Sequence, residues 1–143
     1  MASDAKTEAR PPAAAERKME VAVASAATPV FVPGRRAFFT YRDLGVTAAS
    51  RGKMRAQITA AKVGLSRPTG WHYHVCETQF VYVLKGWLEL EFAQRGTVRL
   101  GEGDSVFIPG GTPHNEIRTS ETFELLECSV PAEMGTVACD PPH

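Results

Sequence analysis

The sequence predicts an all-β fold, in which antiparallel strands form a sandwich, a jelly roll or a barrel. The segment "WLELEF" (87–92) alternates strictly between apolar and polar residues, as half-buried strands do. The segment "VYVL" (81–84) is a continuous apolar run, which is typical of a fully buried strand. Similar short runs recur along the chain between Gly, Pro or Asn residues, and no segment carries a helical stripe of useful length.

The predicted strands begin at Val30, after a segment with few large apolar side chains. Each is a short apolar or alternating run, and most end at a turn residue, which explains where one strand stops and the next begins. In order they are "VFVPG", "KMRAQITAAKVG", "GWHYH", "QFVYVLKG", "WLELEFAQRG", "TVRLGEGD", "SVFIPGG", "HNEIRTS" and "TFELLECSVP".

Length and composition predict one domain preceded by a tail. Residues 1–28 are rich in Ala, Pro and charged side chains, so we expect a flexible tail there and a folded domain over 29–143. Sixteen acidic residues balance sixteen basic ones, so no global charge favours nucleic acid as a partner. No apolar run is long enough to cross a membrane. Three irregularly spaced cysteines do not suggest a disulfide framework, and we expect a cytoplasmic protein.

Two histidines in one predicted strand are the first sign of chemistry. His72 and His74 lie two residues apart, so on a strand their side chains point to the same face. Two imidazoles aimed together into a core are poor packing material, but neutral imidazole is a common metal ligand. A third histidine, His114, follows the tight turn "PGG" after a later strand. If the strand that begins at His114 lies next to the strand of His72 and His74, the three imidazoles can meet.

The spacing around these histidines resembles the paired motifs of the cupin superfamily. The first segment offers His-x-His, four residues, Gln79, six residues and Gly86. The second offers Gly103, five residues, "PGG", two residues and His114, with Arg118 where the family usually has Asn. The leading glycine of the first motif is displaced. The resemblance covers about residues 50 to 130 and implies a cupin-type antiparallel β-barrel, or jelly roll.

The resemblance also implies one divalent metal ion, either Zn, Fe, Ni or Mn, held by side chains of both motifs. The ligand set carried over is His72, His74, Gln79 and His114. Gln79 occupies the position of the usual glutamate, whereas Glu77 follows His74 too closely and is expected to face solvent. Cys76 could be a soft ligand or a bystander.

A neutral amide in the place of a carboxylate leaves the ion with its full charge. Such a site favours Lewis-acid polarisation of a carbonyl and lacks an anionic ligand that could act as a base. Among cupins, a three-histidine, one-glutamine shell resembles that of certain polyketide cyclases and hydroxynitrile lyases. We therefore expect an enzyme acting on a small carbonyl or phenolic substrate by cyclase, lyase or isomerase chemistry. An iron- or nickel-dependent dioxygenase and a non-catalytic metal- or ligand-binding protein are the alternatives.

Further site candidates follow from strand alternation. Arg55 shares a face with Gln57 and Thr59; this face could look inward and bind a substrate oxygen, or outward to solvent. Val81 and Val83 share the face of Gln79, as pocket wall or plain core. An inward-facing Glu127 would be a candidate proton shuttle. A homodimer is expected from the family and from edge strands that need covering.

Overall fold

The structure is a computed structural model that describes residues 18–61, 63–65 and 67–142. Its strands are β1 (Val30–Val32), β2 (Thr40–Asp43), β3 (Arg55–Ala61), β4 (His72–Val75), β5 (Thr78–Lys85), β6 (Leu88–Phe92), β7 (Gly96–Leu100), β8 (Ser105–Pro109), β9 (His114–Thr119), β10 (Phe123–Val130) and β11 (Gly135–Ala138). A single-turn helix, α1 (Val46–Ala49), lies between β2 and β3. The all-β prediction is confirmed.

The strands form two antiparallel sheets. The six-stranded sheet has the order β1-β2-β3-β10-β5-β8, and the five-stranded sheet has the order β11-β4-β9-β6-β7. Strands that are consecutive in the chain often belong to different sheets, as in a jelly roll. The pairing places β5 beside β10 in one sheet and β4 beside β9 in the other.

Strand alternation divides β5 into an inner and an outer face. Gln79, Val81 and Val83 are buried, whereas Phe80 and Tyr82 are exposed on the opposite side. The inner face packs against apolar side chains of the other sheet, because burying apolar area from both layers is what holds a sandwich together. The core cluster contains Ala61, Val81, Val83, Leu88, Leu90, Leu100, Phe123 and Leu125.

One strand departs from what the sequence indicates. Strand β11 is not predicted, because "GTVA" is short and has no alternating pattern, yet it pairs with β4 over its whole length. Residues 18–29 are exposed; the N–H of Glu20 donates to the carbonyl of Ala49, and the N–H of Thr28 donates to the carbonyl of Ser25. The rest of the predicted tail, residues 1–17, lies outside the described residues. Within the described residues, no helix is long and apolar enough to cross a membrane.

Candidate metal centre

Three buried imidazoles meet between β4 and β9. His72 and His114 are paired across the two strands, and His74 lies two residues further along β4 on the same face. Their ring centroids are 4.5 Å apart for His72 and His114, and 5.1 Å apart for each of the other two pairs. One nitrogen from each ring lies within 4.8 Å of the other two. This spacing is suitable for donors that share one ion.

Each ring is held through its Nδ1 atom. Nδ1 of His72 lies 2.7 Å from the carbonyl oxygen of Gly70, and Nδ1 of His114 lies 2.9 Å from that of Thr112. Nδ1 of His74 lies 3.1 Å from Oγ1 of Thr136, a residue of the unpredicted strand β11. A carbonyl oxygen can only accept, so the tautomer that satisfies the first two contacts carries its proton on Nδ1 and a lone pair on Nε2. Metal-binding histidines are oriented in this way.

The turn before β9 explains how His114 reaches the other two histidines. A Cβ atom at Gly110 would lie 1.7 Å from the carbonyl oxygen of Cys76, so only glycine lets the two loops pack this closely. Gly111 adopts φ 81°, which also favours glycine, and its N–H donates to the carbonyl oxygen of His74 over 3.0 Å. The "PGG" turn therefore fixes β9 against β4.

Gln79 lies on the other sheet and lines the same cavity as His114. Its side chain is buried on the inner face of β5, and Oε1 is buried with no hydrogen-bond partner among the described residues. Its Nε2 donates to Oε2 of Glu127 on the neighbouring strand β10. Nε2 of His72 is likewise buried without a hydrogen bond. Unpaired buried acceptors are costly, so these atoms fit a site that takes up a cation.

Glu127 is enclosed by three polar side chains. Its Oε1 accepts a hydrogen bond from Nε2 of Gln57 over 2.9 Å and lies 3.7 Å from a guanidinium nitrogen of Arg55. Gln57 and Thr59 are buried and line the cavity with Arg55. Of the two orientations left open for this face of β3, the structure therefore has the inward one.

Glu116 is a second carboxylate at the site, and the sequence reasoning missed it. Its Oε2 lies 3.5 Å from Nε2 of His72 and 3.4 Å from the guanidinium of Arg35. Burial raises the pKa of Glu116, but the neighbouring His72 and Arg35 outweigh burial and hold the pKa at about 2. Glu116 is two residues after His114, so alternation along β9 could have indicated its inward side chain. Arg35 comes directly after the first predicted strand, and no pattern marks it.

Burial also acts on the histidines. Desolvation lowers the pKa of His74 to about 4, with further lowering by the positive charge of Arg35 and by the other two histidines. Desolvation lowers the pKa of His114 as well. Both rings are therefore neutral at physiological pH, which is the form that binds metal.

The cavity beside these groups has a volume of ≈ 420 Å³. This volume is suitable for a small organic ligand. Its polar wall contains His114, Gln79, Glu116, Glu127, Arg35 and Arg55, and its apolar wall contains Val81, Leu88, Leu90, Ile108, Phe123 and Leu125. Val81 thus belongs to both core and cavity wall, whereas Val83 belongs to the core cluster.

Three other residues named from the sequence lie away from this wall. Glu77 is exposed in the turn between β4 and β5. Cys76, in the same turn, is partly buried and has no disulfide partner, and burial raises the pKa of its thiol. Arg118 is exposed on β9, where its Nε donates to Oε1 of Glu89 over 2.7 Å.

Comparison with known proteins agrees with this architecture. Residues 62–128 match the family model described as "Cupin domain". A segment of 58 residues is 40% identical to a 3-hydroxyanthranilate 3,4-dioxygenase of Scheffersomyces stipitis; it covers 38% of this chain and only 34% of that relative. The aligned segment therefore spans about a third of the curated relative's length.

Two solved structures resemble most of this chain. The polyketide cyclase RemF from Streptomyces resistomycificus superposes with a TM-score of 0.63 at 23% identity, over 80% of this chain and 82% of that chain. FeII HppE superposes with a TM-score of 0.61 at 15% identity, over 80% and 64% of the respective chains. At this level of identity the two structures establish a shared fold.

Proposed function

Because this chain carries a cupin domain, we propose that its histidine cluster holds one divalent metal ion and that the cavity converts a small carbonyl or phenolic compound. The proposed ligands are Nε2 of His72, His74 and His114 together with Oε1 of Gln79. Zn, Fe, Ni and Mn are all compatible with imidazole and amide donors. When bound, such an ion supplies Lewis-acid polarisation of a substrate oxygen.

One observation carries this proposal. The Nδ1 atoms of His72 and His114 contact backbone carbonyls and that of His74 contacts a hydroxyl, so all three rings are positioned to present Nε2. Nε2 of His72 then has its lone pair 3.5 Å from a carboxylate oxygen of Glu116. Two acceptors in a buried site repel unless a proton or a cation lies between them. The donor set therefore fits a metal ion.

The other side chains of the cavity suit substrate binding. Nε of Arg55 is buried and has no hydrogen-bond partner in the described part of the chain, so it can donate to a carbonyl or phenolic oxygen. Glu116, ionised because of its low pKa, can accept a hydrogen bond from a substrate hydroxyl. The apolar wall opposite them excludes water and strengthens both contacts. Proton transfer by Glu127 stays a prediction, since both of its oxygens already accept hydrogen bonds from amides.

Metal content of matched variants tests the ligand set. The metal content of protein purified without added metal is measured by inductively coupled plasma mass spectrometry. The metal affinity is measured by titration with Co²⁺. We expect wild type and Glu77→Gln to bind one ion per chain, because Glu77 is exposed and outside the cluster. We expect His72→Ala to lose stoichiometric binding. A His72→Ala protein that still binds one ion with unchanged affinity would refute the assignment.

Oxygenation is the second candidate, and the segment that is 40% identical to a 3-hydroxyanthranilate 3,4-dioxygenase favours it. Oxygen consumption by protein loaded anaerobically with Fe²⁺ separates the two candidates. The substrate panel begins with 3-hydroxyanthranilate and continues with catechols and diketones. Substrate-dependent oxygen uptake supports the dioxygenase, and its absence across the panel leaves the Lewis-acid chemistry.

We also propose a cytoplasmic homodimer. The outer face of the six-stranded sheet exposes Phe80, Tyr82 and Leu84 on β5 beside Phe107 on β8, and Phe80 and Phe107 are directly paired. Contiguous apolar side chains on an open sheet face favour association. All three cysteines are free, as is usual in a reducing compartment. Light scattering during size-exclusion chromatography gives the mass, and a monomer at all concentrations would exclude the dimer.

A further inference from the structure

Gln79, which stands where the family pattern has a glutamate, contacts Glu127 through its side-chain amide. Glu127 lies on β10, paired with Gln57 on β3 and with Val81 on β5, so its carboxylate sits between two strands that each carry a glutamine. It accepts one hydrogen bond from each amide, from Gln57 on Oε1 and from Gln79 on Oε2. The carboxylate is only partly exposed, at 15% of its side-chain area.

A carboxylate can orient a glutamine amide because the two ends of the amide differ. The NH₂ group donates and the oxygen accepts, whereas an ionised carboxylate only accepts. Glu127 therefore selects the NH₂ end of Gln79 and leaves Oε1 unpartnered in the buried site. The hydrogen bond to an ionised acceptor also increases the negative charge on Oε1.

We propose that Glu127 is a positioning residue, which makes Gln79 present its oxygen, rather than its NH₂ group, as the fourth metal donor. This inference rests on the proposed metal site. In the family pattern the negative charge lies on the metal ligand itself. Here it lies on Glu127, which is hydrogen-bonded to the proposed ligand Gln79. A glutamate at position 79 would bring two carboxylates into contact, which disfavours ionisation of both. The amide at 79 and the carboxylate at 127 therefore form a matched pair.

An exchange of the two side-chain types tests the pair. Glu127→Gln keeps the shape but removes the charge that orients Gln79, so we expect the Co²⁺ affinity to fall by about 10–100-fold, as for other outer partners of metal ligands. In Gln79→Glu/Glu127→Gln the amide and the carboxylate change places. The contact is rebuilt with an anionic donor toward the ion, and we expect the affinity to return at least to that of wild type.

Glu124→Gln is the matched control. It makes the same change on the same strand, at a carboxylate that pairs with Lys85 at the surface, and should leave Co²⁺ binding unchanged. The visible absorption of bound Co²⁺ reports the ligand field in every variant, independently of any activity. Glu127→Gln binding as tightly as Glu124→Gln, or an exchanged double variant as weak as Glu127→Gln, would overturn the proposal.

Hydrogen exchange in the wild-type protein tests the same contact without a substitution at position 127. In ¹⁵N-labelled protein the side-chain NH₂ signals of Gln79 are assigned by their loss in Gln79→Met. We expect them to be protected from hydrogen exchange both before and after Zn²⁺ is added, because Glu127 holds them throughout. Free exchange overturns the proposal. A wild-type protein that binds neither Co²⁺ nor Zn²⁺ contradicts the metal site itself, so the two failures are distinguishable.

Discussion

Two carboxylates line the cavity, one on each sheet, and they contact the proposed ligands in opposite ways. Glu116 on β9 faces Nε2 of His72, the nitrogen that we propose binds the ion. Glu127 on β10 contacts the NH₂ group of Gln79 and leaves the proposed donor oxygen free. Each carboxylate has an arginine beside it, Arg35 at 3.4 Å and Arg55 at 3.7 Å.

The two carboxylates act differently because each lies at a different place relative to a proposed ligand. Glu127 lies behind a ligand, where a hydrogen bond lets it orient and polarise the amide. Glu116 lies beside a ligand, where it faces a lone pair and adds negative potential to the cavity. The sequence predicts a ligand shell without an anion. The structure places two carboxylates directly next to the proposed ligand side chains.

Neutralising Glu116 tests this contrast through metal affinity, where the larger effect is expected. Glu116→Gln removes a negative charge near the ion but leaves the Nδ1 contacts that orient the three histidine rings, so Co²⁺ affinity should fall by less than the ~10-fold lower limit for an orienting partner. Calorimetric titration of Glu116→Gln and Glu127→Gln side by side measures both. If Glu116→Gln is the weaker binder of the two, Glu116 is itself a ligand and the contrast is wrong.

The stability of the metal-free protein should depend on pH. This effect is smaller, and it separates the contribution of His74 from that of Glu116. The pKa of His74 is about 4 in the folded chain and 6.5 in the reference state, so the unfolded chain binds more protons between these values. Stability should therefore fall as the pH drops from 6.5 toward 4. The pKa of Glu116 falls from 4.5 to about 2, so its contribution is present above pH 4.5 and is lost as the pH drops toward 2.

Urea unfolding at a series of pH values measures the two intervals. Glu116→Gln should weaken the pH dependence below 4.5 and retain that between 6.5 and 4.5. Saturating Zn²⁺ should raise the stability most at the upper end of the range, because protons compete with metal for the imidazoles. A metal-free protein whose stability is constant from pH 6.5 to 4 would contradict the burial effect on His74.

Much of the fold follows from local pattern. Alternation along β5 and β6 predicts which side chains are buried, since a strand exposes successive residues to opposite faces. The spacing of the two motifs predicts a cupin, and residues 62–128 match the family model described as "Cupin domain". The convergence of His72, His74 and His114 depends on β4 and β9 being neighbours, which the resemblance implied and the pairing of His72 with His114 shows.

The remaining features depend on long-range packing that a pattern does not reveal. The sequence leaves the orientation of β3 open because Arg55, Gln57 and Thr59 form a polar face, and polar faces normally point to solvent. Here they line a polar cavity, and apolar side chains occupy the outer face of the sheet. Strand β11 has too few residues to show a period, although it supplies Thr136 to orient His74.

Anomalous diffraction from crystals of wild type grown with Co²⁺ tests the central claim directly. We expect one peak per chain, with Nε2 of His72, His74 and His114 and Oε1 of Gln79 as the protein donors, and with Nε2 of Gln79 still bound to Glu127. An ion held by Glu116 in place of Gln79, or no ion among the three imidazoles, would contradict it.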